Sequence, residues 1–122
     1  MPKKILLVDD EPTIVKVLTS RLKANGYDVI TAADGQEALN IFRTETPDLV
    51  ILDVMLPKVD GYRVCRLLKF DEKFKHVPIL MLTARVQESD EQTGKAVGAD
   101  AYLPKPFDAQ TLLAKIKELI RD

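Results

Sequence analysis

The stretch from residue 50 to residue 57 constrains this chain most, because an apolar run there ends on a single carboxylate. Val50, Ile51 and Leu52 indicate a strand that is buried on both faces, and Asp53 follows them directly. A buried strand tolerates an ionised side chain only at its end, where partners can compensate for lost hydration. The sequence therefore predicts that other polar side chains converge on Asp53.

Four further apolar runs have the length and composition of strands, and helical patterns lie between them. The runs cover residues 5–8, 28–32, 79–82 and 101–103. In the third of five predicted helices, the spacing favours Val64, Leu67 and Leu68 on the inner face. A fourth, weakly amphipathic helix is predicted over residues 87–95. This alternation predicts an α/β fold with a doubly wound five-stranded parallel sheet and helices on both faces.

Polar residues follow four of these strands and should share the carboxyl edge of the sheet, where ligands bind in such folds. They are Asp9, Asp10, Asp53, Thr83 and Lys105. Three close carboxylates raise one another's pKa or require a cation, and their oxygens suit Mg²⁺. The lysine and the hydroxyl can bind phosphoryl oxygens, and a carboxylate can attack phosphorus to form an aspartyl phosphate.

Each residue alone has a simpler structural explanation. Asp9 and Asp10 before Pro12 could cap a helix, Thr83 could belong to a turn, and Lys105 could be a surface charge. Four strand ends with complementary chemistry are improbable by accident, so the set as a whole favours a functional site.

Composition limits the remaining classes of function. A length of 122 residues fits one domain, and a net charge of −1 argues against direct nucleic-acid binding. The one cysteine, Cys65, excludes an internal disulfide and is interpreted as a packing residue. His76 is expected to be a solvated loop residue. No apolar run approaches the roughly 20 residues of a membrane span, so we expect no membrane association and a cytoplasmic location.

Five motifs, in this order and at these spacings, resemble the receiver domain of bacterial two-component response regulators, the family of the chemotaxis regulator. They lie at residues 5–11, 52–57 with 60–61, 82–84, 98–102 and 105–107. The resemblance covers essentially the whole chain, residues 1–122. It implies a flavodoxin-like (βα)5 fold with strand order 2-1-3-4-5.

For the metal, the resemblance implies a site for Mg²⁺, with Mn²⁺ as a substitute. Asp10 and Asp53 match direct ligands, and Asp9 matches a partner that acts through metal-bound water. Met55 matches the position whose backbone carbonyl completes the site.

For the reaction, the resemblance implies that Asp53 accepts a phosphoryl group from a phosphohistidine or a small phosphodonor. Lys105 matches the phosphate-pairing lysine, and the Lys105–Pro106 bond is expected to be cis. Thr83 matches the switch hydroxyl and Tyr102 the switch aromatic.

The implied function is a phosphorylation-activated switch in a phosphorelay. The domain would catalyse its own phosphorylation and dephosphorylation without turning over a separate substrate, so it is not expected to be an enzyme. Implied partners are a sensor histidine kinase or phosphotransfer protein, and an effector or output domain that contacts the fourth predicted helix, the fifth strand and the last helix. A phosphorylation-dependent homodimer is a further expectation, although Ala101 replaces the second acidic residue usual in receivers of winged-helix transcription factors.

Three alternatives deserve comparison. A phosphatase of the haloacid dehalogenase group requires an Asp two positions after the nucleophile, where Met55 or Glu11 stands. A flavodoxin-like FMN site requires free backbone N–H groups after the first strand, where acidic residues and Pro12 stand. A receiver that signals without phosphorylation is the third alternative, and the complete acceptor set disfavours it.

Overall fold

Five parallel strands form one sheet with the spatial order β2-β1-β3-β4-β5 in a computed structural model that describes residues 2–83 and 98–120. The strands are β1 (Lys4–Val8), β2 (Asp28–Ala32), β3 (Leu49–Asp53), β4 (Ile79–Thr83) and β5 (Ala101–Pro104). All four neighbouring pairs are parallel. The predicted fold class and strand order are confirmed.

Four helices connect or follow the strands within the described ranges. They are α1 (Pro12–Ala24), α2 (Gly35–Glu45), α3 (Gly61–Lys69) and α4 (Ala109–Leu119). The side chains of Asp34, Asp60 and Asp108 cap α2, α3 and α4 by accepting a backbone N–H from three residues later, at 2.8, 3.0 and 2.7 Å. The helix predicted over residues 87–95 falls outside the described residues.

The central strands are buried on both faces, which explains their uninterrupted apolar runs. On one face, residues such as Leu6, Leu52 and Met81 pack with apolar residues of α2 and α3. On the other face, Leu7, Ile51 and the alternate residues of β4 pack with α1 and α4. The two layers hold the carboxyl ends of β1, β3 and β4 at one edge of the sheet.

The inner face of α3 differs from the sequence prediction at one position. Val64, Cys65 and Leu68 are buried, whereas Leu67 is 48% exposed. Residues 64 and 68 are about one helical turn apart, so they define a stripe from which residue 67 is rotated by about 100°. The placement of Leu67 on the inner face was therefore wrong. Burial raises the pKa of the Cys65 thiol to about 12, which agrees with its interpretation as a packing residue.

No helix within the described parts of the chain is both long enough and apolar enough to cross a membrane.

Candidate functional site

The acidic cluster forms where the two central strands end side by side. Asp9 directly follows β1, Asp53 is the last residue of β3, and these strands pair along residues 5–8 and 49–52. One carboxylate oxygen from each of Asp9, Asp10 and Asp53 lies within 4.8 Å of the other two. Asp9 and Asp53 are buried, with exposures of 1% and 5%, whereas Asp10 is exposed. The predicted convergence of the three carboxylates is therefore present.

Lys105 adds a positive charge to this cluster from the loop after β5. Its Nζ lies 3.2 Å from Asp9 Oδ2 and 3.3 Å from Asp53 Oδ2. Its backbone N–H donates to the carbonyl of Thr83, which ties the loop to the end of β4. The Lys105–Pro106 peptide bond is cis, as the resemblance implied.

The charge balance at Asp53 sets its protonation. Burial and the nearby Asp9 carboxylate raise the pKa of Asp53, and the ammonium of Lys105 and the Met55 amide oppose this rise. For Lys105, burial lowers the pKa, but the carboxylates of Asp53 and Asp9 raise it by more than burial lowers it, so the net shift is upward. The lysine therefore stays charged, while the carboxylates favour any additional cation.

This donor set fits Mg²⁺. Carboxylate oxygens are hard ligands, and Mg²⁺ in proteins usually keeps several waters alongside one or two carboxylates. The exposed Asp10 leaves the cluster open to solvent beside the buried Asp9 and Asp53. Asp9, Asp10 and Asp53 are the residues that would hold the ion.

Met55 lies two residues beyond the end of β3, in the loop that leads to α3. Its backbone N–H donates to Asp53 Oδ1 at 3.2 Å, and its side chain is 73% exposed. The main chain of this loop thus faces the site, whereas the thioether points to solvent.

Gly61 allows the start of α3 to sit directly against the end of β3. A Cβ atom at this position would overlap the carbonyl oxygen of Asp53 and the Cα of Val54. The Gly61 N–H also donates to the carbonyl of Val54 at 2.9 Å. The glycine of the 60–61 motif therefore fixes the loop that carries Met55.

The two predicted switch residues lie on the same face of the sheet. Thr83 ends β4 and is buried, and Tyr102 pairs with Met81, two residues before Thr83. Because side chains alternate along a strand, residues 81 and 83 face the same side, as does the paired residue 102. The Tyr102 hydroxyl lies 2.8 Å from the hydroxyl of Tyr62 on α3.

Tyr62 is a residue that the sequence reasoning missed. The apolar spacing of α3 identifies which residues face the core, but it contains no signal for which polar group meets a side chain from β5.

The sequence matches the family described as the response regulator receiver domain over residues 5–117. The chain belongs to this family. The predicted family membership is therefore confirmed. Receiver domains of this family operate in two-component systems.

Similarity to individual proteins agrees with this membership. The transcriptional regulatory protein PhoP of Bacillus subtilis, named for alkaline phosphatase synthesis, is 51% identical over 121 residues, which are 99% of this chain and 50% of PhoP. The structure of the chemotaxis protein CheY4 of Vibrio cholerae matches with a TM-score of 0.92 and 38% identity, covering 98% of this chain and 99% of that one. The receiver domain of the sensor histidine kinase PA1611 from Pseudomonas aeruginosa has a TM-score of 0.90 and 32% identity, covering 98% of each chain. That structure has a magnesium ion coordinated in the active site cleft.

The chain spans about half the length of the curated relatives it matches. Both of these relatives are named as transcriptional regulators.

Proposed function

We propose that this receiver domain accepts a phosphoryl group on Asp53 and thereby switches between two states of its surface. The observation that carries the proposal is the Asp53 carboxylate, buried at the strand end, with Lys105 Nζ at 3.3 Å and two further carboxylates within 4.8 Å. A lone buried carboxylate would be unfavourable without compensating partners, whereas this arrangement supplies a nucleophile, a cation and a metal-binding pair.

In the proposed reaction, an Asp53 carboxylate oxygen attacks phosphorus and the bond from phosphorus to the donor breaks. The donor is a phosphohistidine of a partner, or a small acyl phosphate, and it leaves with the electron pair of that bond. Lys105 pairs with the phosphoryl oxygens, and Thr83 donates its hydroxyl to them after transfer. Asp9, Asp10 and Asp53, with the backbone carbonyl of Met55, would hold Mg²⁺ or Mn²⁺. Mg²⁺ would neutralise the charge that develops on the phosphoryl oxygens.

The readout follows from the new charge beside the switch residues. An aspartyl phosphate carries about −1.5 to −2 charge by analogy with other phosphorylated residues. Thr83 moves toward the new oxygens and Tyr102 occupies the space it leaves. This shifts the surface of β5 and α4 between two pre-existing states, together with the helix predicted over residues 87–95, which lies outside the described residues.

The partners proposed from this reading are a sensor histidine kinase or phosphotransfer protein and an output domain. The names of the relatives support an output in transcription, and these relatives are about twice as long as the sequence described here. A phosphorylation-dependent homodimer through the same surface, and a cytoplasmic location, are part of the proposal. The chain turns over no separate substrate.

The test is incubation with acetyl phosphate and Mg²⁺, followed by intact-protein mass spectrometry. We expect one added phosphoryl group, which is lost in Asp53→Asn and after chelation of the metal. Asp28→Asn is the matched control, because Asp28 is an exposed carboxylate at the opposite end of the sheet and should not affect labelling. Full labelling of Asp53→Asn would overturn the assignment of the acceptor.

A further inference from the structure

The hydrogen bond between Tyr62 and Tyr102 connects the proposed switch aromatic to a helix that also contacts the acceptor strand. The two hydroxyl oxygens are 2.8 Å apart, and either can donate. Both rings pack against the apolar cluster between the sheet and helices α2 and α3, and both are partly buried. The contact joins residues 40 positions apart, so it is a tertiary link and not part of a local turn.

The position of Tyr62 is fixed by the start of α3. Asp60 caps this helix, and the Gly61 amide bonds to the Val54 carbonyl directly after Asp53. Tyr62 is the next residue, so its phenol is held by the same segment that closes the acceptor site. It also lines an open groove along α3 with Arg66 and Phe70, which places the phenol pair near the molecular surface.

We propose that Tyr62 is a positioning residue of the switch, which holds Tyr102 in its partly exposed position through this hydroxyl contact. The inference rests on the proposed function, in which Tyr102 moves into the space left by Thr83. In this proposal, the movement of the ring toward Thr83 breaks the contact between the Tyr102 and Tyr62 hydroxyls. The hydrogen bond therefore opposes switching, and its loss favours the switched state.

The expected size follows from the net contribution of a hydrogen bond in a protein. That contribution changes an equilibrium constant about two- to tenfold. Because phosphorylation and switching are coupled, a ligand that mimics the phosphoryl group should bind more tightly by up to the same factor when the hydrogen bond is removed.

Fluorine NMR can follow the switch directly, because the chain contains three tyrosines and no tryptophan. Labelling with 3-fluorotyrosine gives one resonance each for Tyr27, Tyr62 and Tyr102, and single Tyr→Phe variants assign them. Beryllofluoride with Mg²⁺ is the phosphoryl mimic, and its titration gives an apparent affinity. We expect Tyr62→Phe to move the Tyr102 resonance before beryllofluoride is added, and to tighten its binding by up to about two- to tenfold.

Two further variants separate this role from a general effect on packing. Tyr27→Phe removes a phenol hydroxyl from a partly buried ring on the other face of the sheet, and should change neither the Tyr102 resonance nor the affinity. In a Tyr102→Phe background, Tyr62→Phe should change the affinity much less than in the wild type, because the hydrogen bond between the two hydroxyls is already absent. Calorimetry measures the beryllofluoride affinity of these variants, since Tyr27 is the one tyrosine that the double variant keeps.

An unchanged or weakened beryllofluoride affinity in Tyr62→Phe would overturn the inference, as would an equal effect in the Tyr102→Phe background. Failure of the proposed function has a different signature, in which the wild-type Tyr102 resonance does not respond to beryllofluoride and Mg²⁺ at all. That result would contradict both proposals.

Discussion

Lys105 is the residue on which the charge balance of the site depends. Its side chain is 16% exposed and lies between two carboxylates that are almost fully buried. Its raised pKa means that its stabilising effect is present below the ordinary lysine value of 10.5 and is lost as the pH rises through the raised value. At neutral pH the Lys105 ammonium is therefore charged, and it stabilises the fold as well as the site.

Replacing this lysine should destabilise the protein in a pH-dependent manner. We expect Lys105→Met to lower the free energy of unfolding by about 2 kcal/mol at neutral pH, because Asp9 and Asp53 then repel each other without compensation. The loss should shrink as the pH falls through the raised pKa of Asp53, because protonation of Asp53 removes its repulsion with Asp9. Urea denaturation at several pH values measures this. Lys115→Met, at a lysine on α4 whose side chain is 42% exposed, is the control and should change stability by less than about 0.5 kcal/mol. An equal loss at all pH values would contradict the electrostatic explanation.

The sequence was sufficient to predict the members of the charged cluster but not all of their neighbours. Asp9, Asp53 and Lys105 could be placed together because each follows a strand, and parallel strands end at the same edge of the sheet. The contact between Tyr62 and Tyr102 depends on the rotation of α3 about its axis and on its distance from β5. Those quantities are set by packing in three dimensions, which a one-dimensional pattern does not encode.

At the scale of single elements, α3 shows both the strength and the weakness of pattern reasoning. Residues 60–61 were recognised as part of a motif, and the structure shows that Asp60 caps α3 while Gly61 permits the close approach to β3. The inner face was predicted less well, because the apolar residues of α3 fit two rotations of the helix that differ by about one residue. Cys65 lies in the core, in agreement with its interpretation as a packing residue, but Leu67 does not.

The close approach of α3 to the acceptor strand gives a prediction about function as well as stability. A Cβ at residue 61 would overlap the Asp53 carbonyl, so Gly61→Ala must displace either the helix or the strand end. We expect a loss of about 1–3 kcal/mol in the free energy of unfolding and a slower reaction with acetyl phosphate. Thermal denaturation and the time course of phosphoryl labelling measure the two effects.

Gly26→Ala is the comparison for this variant. Gly26 has a positive φ of 89° but open space around its Cα, and it lies before β2 at the far edge of the sheet. Alanine there should reduce stability through backbone strain and leave the labelling rate unchanged. Equal labelling rates in both variants would show that α3 does not position the acceptor.

At the scale of the whole molecule, the strand order explains why three separate segments make one site. β1 and β3 are neighbours at the centre of the sheet, although α1, β2 and α2 separate them along the chain. The order 2-1-3-4-5 therefore places Asp9 and Asp10 beside Asp53, with Thr83 on the next strand and Lys105 beyond it. From the sequence, this strand order could be predicted only through the resemblance to receiver domains, because hydrophobic periodicity indicates the strands but not their arrangement in the sheet.

The carboxylate cluster should couple metal binding to the stability of the entire fold. An ion that binds only the folded state stabilises it by about 2.7 kcal/mol when its concentration is 100 times its dissociation constant. We expect Mg²⁺ to raise the urea midpoint of the wild type, and Asp10→Asn to lose most of this increase. Without metal, Asp10→Asn should be at least as stable as the wild type, because one of three mutually repelling carboxylates is gone. Asp28→Asn, which alters an exposed carboxylate at the other end of the sheet, should keep the full Mg²⁺ response. These opposite effects distinguish a metal ligand from a structural residue, because replacing a structural residue would lower stability both with and without the ion. An undiminished Mg²⁺ response in Asp10→Asn would show that Asp10 does not bind the metal.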